Sequence, residues 1–323
     1  MSKPLISIVC PFYNEGPGVT AFYEAMTQEV SALTDYAFEF VCVDDGSRDD
    51  TLSRLIAVAG QDHRFRIVEL SRNFGKEAAL TAGLNQAAGD AVIPIDADLQ
   101  DPSSLIGRLV QAWQESGADV VLAKRSDRNS DTLAKRFSAA AFYDMHNWVS
   151  QIKIPANVGD CRLMTRIVVD ALKQLPEKQR FMKGLFAWVG FRTVTIEYIR
   201  EKRFAGSSKF SGWKLWNFAL EGITSFSSLP LRIWTYVGMA GALVTLGYGL
   251  FIVLRTLIHG VDVPGYASLL VSILFFGSLQ LIGLGVLGEY VGRIYMESKH
   301  RPTYLVRQIY QTTGVKKPDE LGG

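Results

Sequence analysis

The chain has 323 residues, enough for one sizeable globular domain and a smaller appendage. It is 48% hydrophobic and 20% charged, and the apolar excess is uneven: a soluble domain up to about Ser211, then strongly apolar beyond Leu229. A net charge of +2, with no dense basic stripe, argues against nucleic acid as a partner.

From the N-terminus, Met1-Ser2-Lys3-Pro4 leads directly into an apolar strand and lacks a signal-peptide cleavage pattern. The first domain is therefore expected to stay in the cytoplasm. Short β-rich runs at 6–10, 38–43, 66–70, 91–95 and 119–123 alternate with helical periodicity over 19–33, 51–60, 76–88 and 103–116. This alternation predicts an α/β fold with a mostly parallel central sheet, whose ligands bind at the carboxyl ends of the strands. Polar motifs stand at three such ends: Asn14-Glu15, Asp44-Asp45-Gly46-Ser47 and Asp96-Ala97-Asp98. Cys10, Cys42 and Cys161 are odd in number and form no CxxC pair, and Cys10 and Cys42 fall in apolar runs. They read as buried small hydrophobes rather than a disulfide or metal set.

Further on, Trp213, Trp216, Leu220, Ile223 and Phe226 recur at three- and four-residue intervals. That stripe suits an amphipathic helix lying in a membrane interface, with a domain-packing helix as the plainer alternative. Two uncharged apolar segments follow, 233–254 and 266–288, each long enough to cross a hydrocarbon core of about 30 Å. Lys214 and Arg232 precede the first, and Arg293, Lys299, Arg301 and Arg307 follow the second, whereas the loop between them offers only Arg255 against Asp262. The positive-inside rule thus puts both ends in the cytoplasm. Glycines within the spans, Gly241 and Gly283 among them, would let helices or neighbouring subunits pack closely.

Asp96 and Asp98, with Gln100 and Asp101 close behind, can share a hard divalent cation such as magnesium. Such a cation is what a diphosphate leaving group needs as charge builds on it. A DxD pair also occurs in solvated loops; its place after a hydrophobic strand is what favours a metal here. Gly46 permits a tight turn, and Ser47 or Asp49 can cap a helix starting near Thr51. A turn and cap leave two adjacent aspartates unexplained, and a carboxylate there can accept hydrogen bonds from a uracil N–H or from ribose. Pro11-Phe12-Tyr13-Asn14-Glu15 can line the same pocket. The absence of a Gly-x-Gly-x-x-Gly fingerprint and of a P-loop disfavours dinucleotide and ATP sites of those types.

Taken together, PFYNE (11–15), VDDGS (43–47), SRNFGKE (71–77) and DADLQDP (96–102) resemble the family 2 glycosyltransferases of GT-A fold. KRSDR (124–128), GDCRLM (159–164), RFAGSSKF (203–210), the WKLWNF helix and GEYVGRIY (288–295) narrow the likeness to polyprenyl-phosphate glycosyltransferases with two C-terminal spans. The bactoprenol glucosyltransferases, which supply lipid-linked glucose for O-antigen modification of lipopolysaccharide, are the most similar; dolichyl-phosphate mannose synthase is related. The resemblance implies a GT-A domain over 1–210, an interfacial helix over 211–230, a transmembrane hairpin over 231–292 and a cytoplasmic basic tail over 293–323. It implies transfer of one hexose, glucose from UDP-glucose, to undecaprenyl phosphate, with inversion and with Mg2+ or Mn2+. It places the chain as a multi-pass protein of the bacterial inner membrane, in contact with membrane lipid and assembled as a homo-oligomer such as a tetramer.

The same resemblance implies residue roles. Asp96, Asp98 and Gln100 match the metal and donor-diphosphate motif, with Asp98 also counted as catalytic. Pro11, Tyr13, Glu15 and Asp45 match nucleotide-binding positions, and Lys76 with Glu77 lies near the donor. Asp160 matches the acidic residue that acts as base or positions the acceptor; where the family often has an aromatic after it, this chain has Cys161. Arg125, Arg128, Lys135, Arg136 and Arg203 are candidates to hold the lipid phosphate, with Ser208 and Lys209 in a loop over the site. For the basic cluster, a solvated face near anionic lipid is the plainer reading. Mannose or an aminoarabinose derivative in place of glucose, a polysaccharide synthase, and a non-enzymatic nucleotide-sugar-binding scaffold remain as alternatives. A glycosidase with paired carboxylates leaves the DxD motif unexplained.

Overall fold

A computed structural model describes residues 3–126, 158–178, 180–199, 229–259 and 265–311. The expected interfacial helix over 211–230 lies outside these residues except for its last two, which open a long helix instead.

Eight strands form one sheet: β1 (Leu5–Phe12), β2 (Ala37–Asp44), β3 (Phe65–Leu70), β4 (Ala91–Pro94), β5 (Val120–Arg125), β6 (Val158–Thr165), β7 (Thr193–Tyr198) and β8 (Val306–Tyr310). Their order is β7-β5-β6-β4-β1-β2-β3-β8, with β3, β2, β1 and β4 mutually parallel and β6 and β8 antiparallel to their neighbours. The helices are α1 (Val19–Ser31), α2 (Thr51–Gln61), α3 (Lys76–Gln86), α4 (Leu105–Ser116), α5 (Arg166–Lys173), α6 (Met182–Trp188), α7 (Leu229–His259) and α8 (Tyr266–Ser298). Those expected from periodicity in the first half of the chain all form, with ends shifted by up to two residues.

Strand alternation divides the core in two. Ile6, Ile8, Cys10 and Phe12 of β1 point to the face covered by α1, α2 and α4, while Val9 points to the face covered by α3, α5 and α6. Helix α3 is buried from Ala78 through Leu84, and its small residues bring it close to the sheet. A Cβ on Gly83 would collide with the Val9 side chain. That close seat aims the first turn of α3 at the carboxyl ends of β1 and β4. The chain runs from β1 outward through β2 and β3, then crosses back to β4, so a crevice opens where the direction reverses. Cys10 and Cys42 are buried, as expected, and so is Cys161.

Helices α7 and α8 have 31 and 33 residues, or roughly 46 and 50 Å at ~1.5 Å per residue. They pack through Gly283 against Trp234 and Gly241 against Phe276, where a Cβ on the glycine would lie 3.6 and 3.7 Å from the ring. Among the described residues one stretch, Phe275–Ser298, is apolar and long enough to cross a membrane.

The C-terminal segment departs from the expected tail. Helix α8 continues ten residues past Gly288, and β8 then adds to the open edge of β3, pairing Val68 with Ile309. Glu69, 5% exposed on β3, accepts hydrogen bonds from Arg307 Nη1 (3.0 Å) and Tyr310 OH (2.8 Å). A five-residue strand carrying an arginine has too short a period to stand out as sequence; it forms because β3 offers an unpaired edge.

Candidate active site

Each wall of the crevice is held by backbone contacts. After β1, Asn14 turns at φ 53°, donates its N–H to Ser47 Oγ (3.0 Å) and accepts from Arg48 N at its Oδ1 (2.9 Å). Glu15 N reaches Thr51 Oγ1 at 2.9 Å, so the loops after β1 and β2 form one unit. Asp49, rather than Ser47, holds the start of α2, accepting from Thr51 N at 3.1 Å. Tyr13 stands 43% exposed above this unit. Gly46 has φ +65°, and a Cβ there would lie 2.5 Å from Arg72 C and from Asn73 N; glycine is required.

Asp45, 3% exposed, accepts hydrogen bonds from Phe74 N (2.7 Å) and Gly75 N (2.9 Å) with its two oxygens. A carboxylate at a helix N-terminus is favoured by the helix dipole and by the unpaired N–H groups. Burial raises its pKa, and these two N–H donors oppose the rise. Asp45 thus anchors the loop that starts α3, a task beyond the nucleotide contact expected of it.

Lys76, first residue of α3, is the hub. Its Nζ lies 2.7 Å from Asp96 Oδ1 and 2.6 Å from Asp160 Oδ2. Burial works against its charge, yet Asp160 and then Asp96 hold its pKa well above the ordinary lysine value. Burial raises the Asp96 pKa, with Lys76 opposing. Burial alone would raise Asp160 too, but Lys76 and Lys183 pull it well below the usual carboxylate range. Glu77, beside Lys76, accepts from Met182 N (3.3 Å) and is pushed up to about 7 by burial and by Asp160.

The DxD loop is braced from the other side. Leu99 turns at φ 52°, and Asp98 Oδ1 accepts from Gln100 N at 3.2 Å. Gln100 and Asp101 are buried, and Asp101 accepts a 2.5 Å hydrogen bond from Tyr198 OH on β7. Arg125 Nε donates to that same hydroxyl at 3.2 Å. Asp101 and Tyr198 form a support that sequence reasoning missed. Tyr198 closes an edge strand 97 positions away and carries no motif.

The segment over residues 7–173 matches the family model described as Glycosyl transferase family 2. The chain belongs to that family. This glycosyltransferase is similar to the bactoprenol glucosyl transferase of Shigella phage SfV, at 55% identity over 306 residues, 95% of this chain and 99% of that one. It is similar too to the prophage bactoprenol glucosyl transferase homolog of Escherichia coli K12, at 53% over 304 residues, 94% of this chain and 99% of that one. A solved mannosyltransferase from Pyrobaculum calidifontis, in complex with GDP-Man and Mn2+, shares 16% identity with a TM-score of 0.45, over 78% of this chain and 81% of that one.

The glycosyltransferase thus brings together Pro11, Tyr13, Glu15, Asp45, Lys76, Asp96, Asp98, Gln100, Arg125 and Asp160 around the strand ends. Arg128, Lys135, Arg136, Arg203, Ser208 and Lys209 lie outside the described residues. Among the described residues no three His, Cys, Asp or Glu side chains converge as a ready metal cage. The donor chemistry nevertheless fits a hard divalent ion. Asp96 and Asp160 share the single ammonium of Lys76, and burial, with Asp160 and Asp98 adding to it, raises the Asp96 pKa, a cost that a bound cation would offset.

Proposed function

We propose that this glycosyltransferase moves glucose from UDP-glucose to undecaprenyl phosphate, releasing UDP with inversion at the sugar. The observation that carries the reading is the Lys76 bridge, which joins the DxD carboxylate Asp96 to Asp160. It couples the side where a donor diphosphate would sit to the side where an acceptor would arrive. The names of the bactoprenol glucosyl transferases supply the sugar and the lipid.

Asp96 and Asp98, with Gln100 behind them, would hold Mg2+ or Mn2+ against the donor diphosphate. A cation bound there supplies charge to the departing UDP as the glycosidic bond breaks. Tyr13 and Glu15 line the nucleotide side, and Asp45 fixes the loop that carries Lys76. Asp160, with a depressed pKa, is ionised at neutral pH and a weak base. None stronger is needed: the acceptor is a phosphate monoester with a second pKa of about 6, so mostly a dianion at neutral pH. Asp160 therefore orients the reacting groups, keeping Lys76 between itself and Asp96.

Helices α7 and α8 both span the membrane in this reading, with both termini on the cytoplasmic side of a bacterial inner membrane. Supporting this, side chains such as Leu257 (78%) and Leu281 (70%) are exposed along them, surface that apolar lipid or a second copy in a homo-oligomer would cover.

Incubation of the full chain with labelled UDP-glucose, undecaprenyl phosphate and Mg2+ tests the proposal by the mass of the lipid product. One hexose per lipid phosphate is expected. A polymer, a hexose from another nucleotide sugar only, or no lipid product would overturn it.

A further inference from the structure

Lys76 is the first residue of α3, so the seat of that helix along its own axis decides where the ammonium falls. The part of α3 that is buried is rich in small residues, Ala78, Ala79, Ala82 and Gly83 among them. Such a face lets a helix sit close to the sheet, but its ridges are shallow and resist sliding poorly. The axial hold therefore falls to polar ties at the two ends. Asp45 takes Phe74 N and Gly75 N at the start, and Arg66 Nη1 donates to Gln86 O (2.9 Å) at the finish.

A further set of ties leads to the long apolar helices. Helix α8 ends at Ser298, and His300 turns at φ 49°, redirecting the chain toward β8. Within residues 297–305, ahead of β8, three contacts reach the segments that flank the crevice. Leu305 O accepts from Ser71 N (2.9 Å), in the loop that leads into α3. Tyr304 OH accepts from Asn85 Nδ2 (2.7 Å), in the last turn of α3, and its ring packs against the buried cluster that holds Ala79, Leu80 and Leu84. Glu297 Oε1 accepts from Lys178 N (2.8 Å), in the loop between α5 and α6. That loop leads into Met182, whose N–H goes to Glu77, and into Lys183, which acts on the Asp160 carboxyl.

We propose that residues 297–305 are a clamp in which Tyr304 and Glu297 act as positioning residues. The clamp holds α3 and the α5–α6 loop in the register that keeps Lys76 between Asp96 and Asp160. It deepens the proposed transfer reaction, on which its kinetic readout rests. Because it grows from the end of α8, one continuous stretch of chain joins the long apolar helix to both sides of the reaction centre. The tolerance is narrow. Lys76 Nζ lies 2.7 and 2.6 Å from its two carboxylates, and a shift of ~1 Å would carry it out of hydrogen-bond range. Misplacement on that scale can cost about a hundredfold in rate, and releasing one tie of several should cost part of it.

The test is turnover of the detergent-solubilised full chain, with amide hydrogen exchange over residues 71–80 as a second readout. Tyr304→Phe keeps the ring and removes the bond, and Asn85→Ala removes the other partner. Each should lower kcat about fivefold, and the two together no further than either alone, because they share one bond. Glu297→Ala should cost about as much, while Glu297→Gln, whose amide oxygen still accepts, should stay within about twofold of wild type. The donor KM should hold within about twofold in all of these variants, which separates misplacement of the centre from loss of the donor site. Exchange over 71–80 should run at least about fivefold faster in Tyr304→Phe, and at the wild-type rate in Tyr310→Phe, which loosens β8 but not the clamp. Wild-type kcat in both Tyr304→Phe and Glu297→Ala, additive losses in the Tyr304–Asn85 pair, or exchange no faster in Tyr304→Phe than in Tyr310→Phe overturns the clamp. Wild-type protein that makes no lipid-linked glucose sinks the transfer reaction alone, and faster exchange in Tyr304→Phe then still supports the clamp.

Discussion

Lys76 and Asp160 stand 84 residues apart in the chain, and Lys76 Nζ lies 2.6 Å from Asp160 Oδ2. The same nitrogen lies 2.7 Å from Asp96 Oδ1, so one ammonium separates two carboxylates that would otherwise repel. Lys76→Met should therefore lower kcat by at least about a hundredfold, the scale for removing a preorganised charge from a reaction centre. It should also raise the Asp160 pKa, giving the residual activity an acid limb at higher pH than in wild type. Turnover against pH in the variant checks both; a profile parallel to wild type would argue against the bridge.

Glu77 gives a stability signature. Its pKa in the folded protein is about 7, against 4.5 for an unperturbed glutamate. Below about pH 4.5 the folded and unfolded forms are both protonated there. From about 4.5 to 7 the unfolded chain gives up the proton and the folded chain keeps it, so stability falls as pH rises across that window. Glu77→Gln carries no proton to lose. Thermal midpoints measured from pH 5 to 8 should show a shallower decline in the variant.

Asp45→Asn keeps the shape but replaces one carboxylate oxygen with an NH2 group that cannot accept. One of the hydrogen bonds from Phe74 N and Gly75 N is then lost, and the start of α3 loosens. Hydrogen bonds to a charged group contribute about 1.5–3 kcal/mol, so the donor KM should rise roughly tenfold or more while the acceptor KM moves little.

Metal removal tests the DxD reading. Treatment with EDTA should abolish turnover, and added Mg2+ or Mn2+ should restore it in wild type. Asp98→Asn should need a higher metal concentration for half-maximal activity, and recovery at the wild-type concentration would count against Asp98 as a ligand.

The closing strand makes its own prediction. Tyr310→Phe removes the hydroxyl that donates to Glu69 Oε2 and leaves a buried carboxylate oxygen short of a partner. The expected loss is about 1–3 kcal/mol of stability, read as a lower denaturation midpoint in urea. Activity per folded molecule should hold, because Glu69 touches none of the site carboxylates.

The parallel sheet and its helices are legible in the sequence because hydrophobic period is a local property. Ile6, Ile8 and Cys10 alternate over a few residues, and the strand they predict forms with ends extended by only one or two positions. The DxD and DDGS motifs are legible for a similar reason, since a polar turn after an apolar strand falls at the ligand-binding end of such a sheet. Strand β8 is hidden, because what makes it a strand is the edge of β3, more than 200 residues earlier. The brace of Asp101 by Tyr198 is hidden as well, since neither side chain is unusual until the order β7-β5-β6-β4 brings the strand ends together.

By itself, then, the sequence determined the elements, the strand ends that carry carboxylates and the two long apolar helices, all set by spacing within one segment. Tertiary structure alone decided that Lys76 joins Asp96 to Asp160, that Asp45 anchors the start of α3, and that the Arg162 guanidinium is buried against the Phe186 ring. Those facts depend on which segments meet, and pairing energies between charges act through space rather than along the chain.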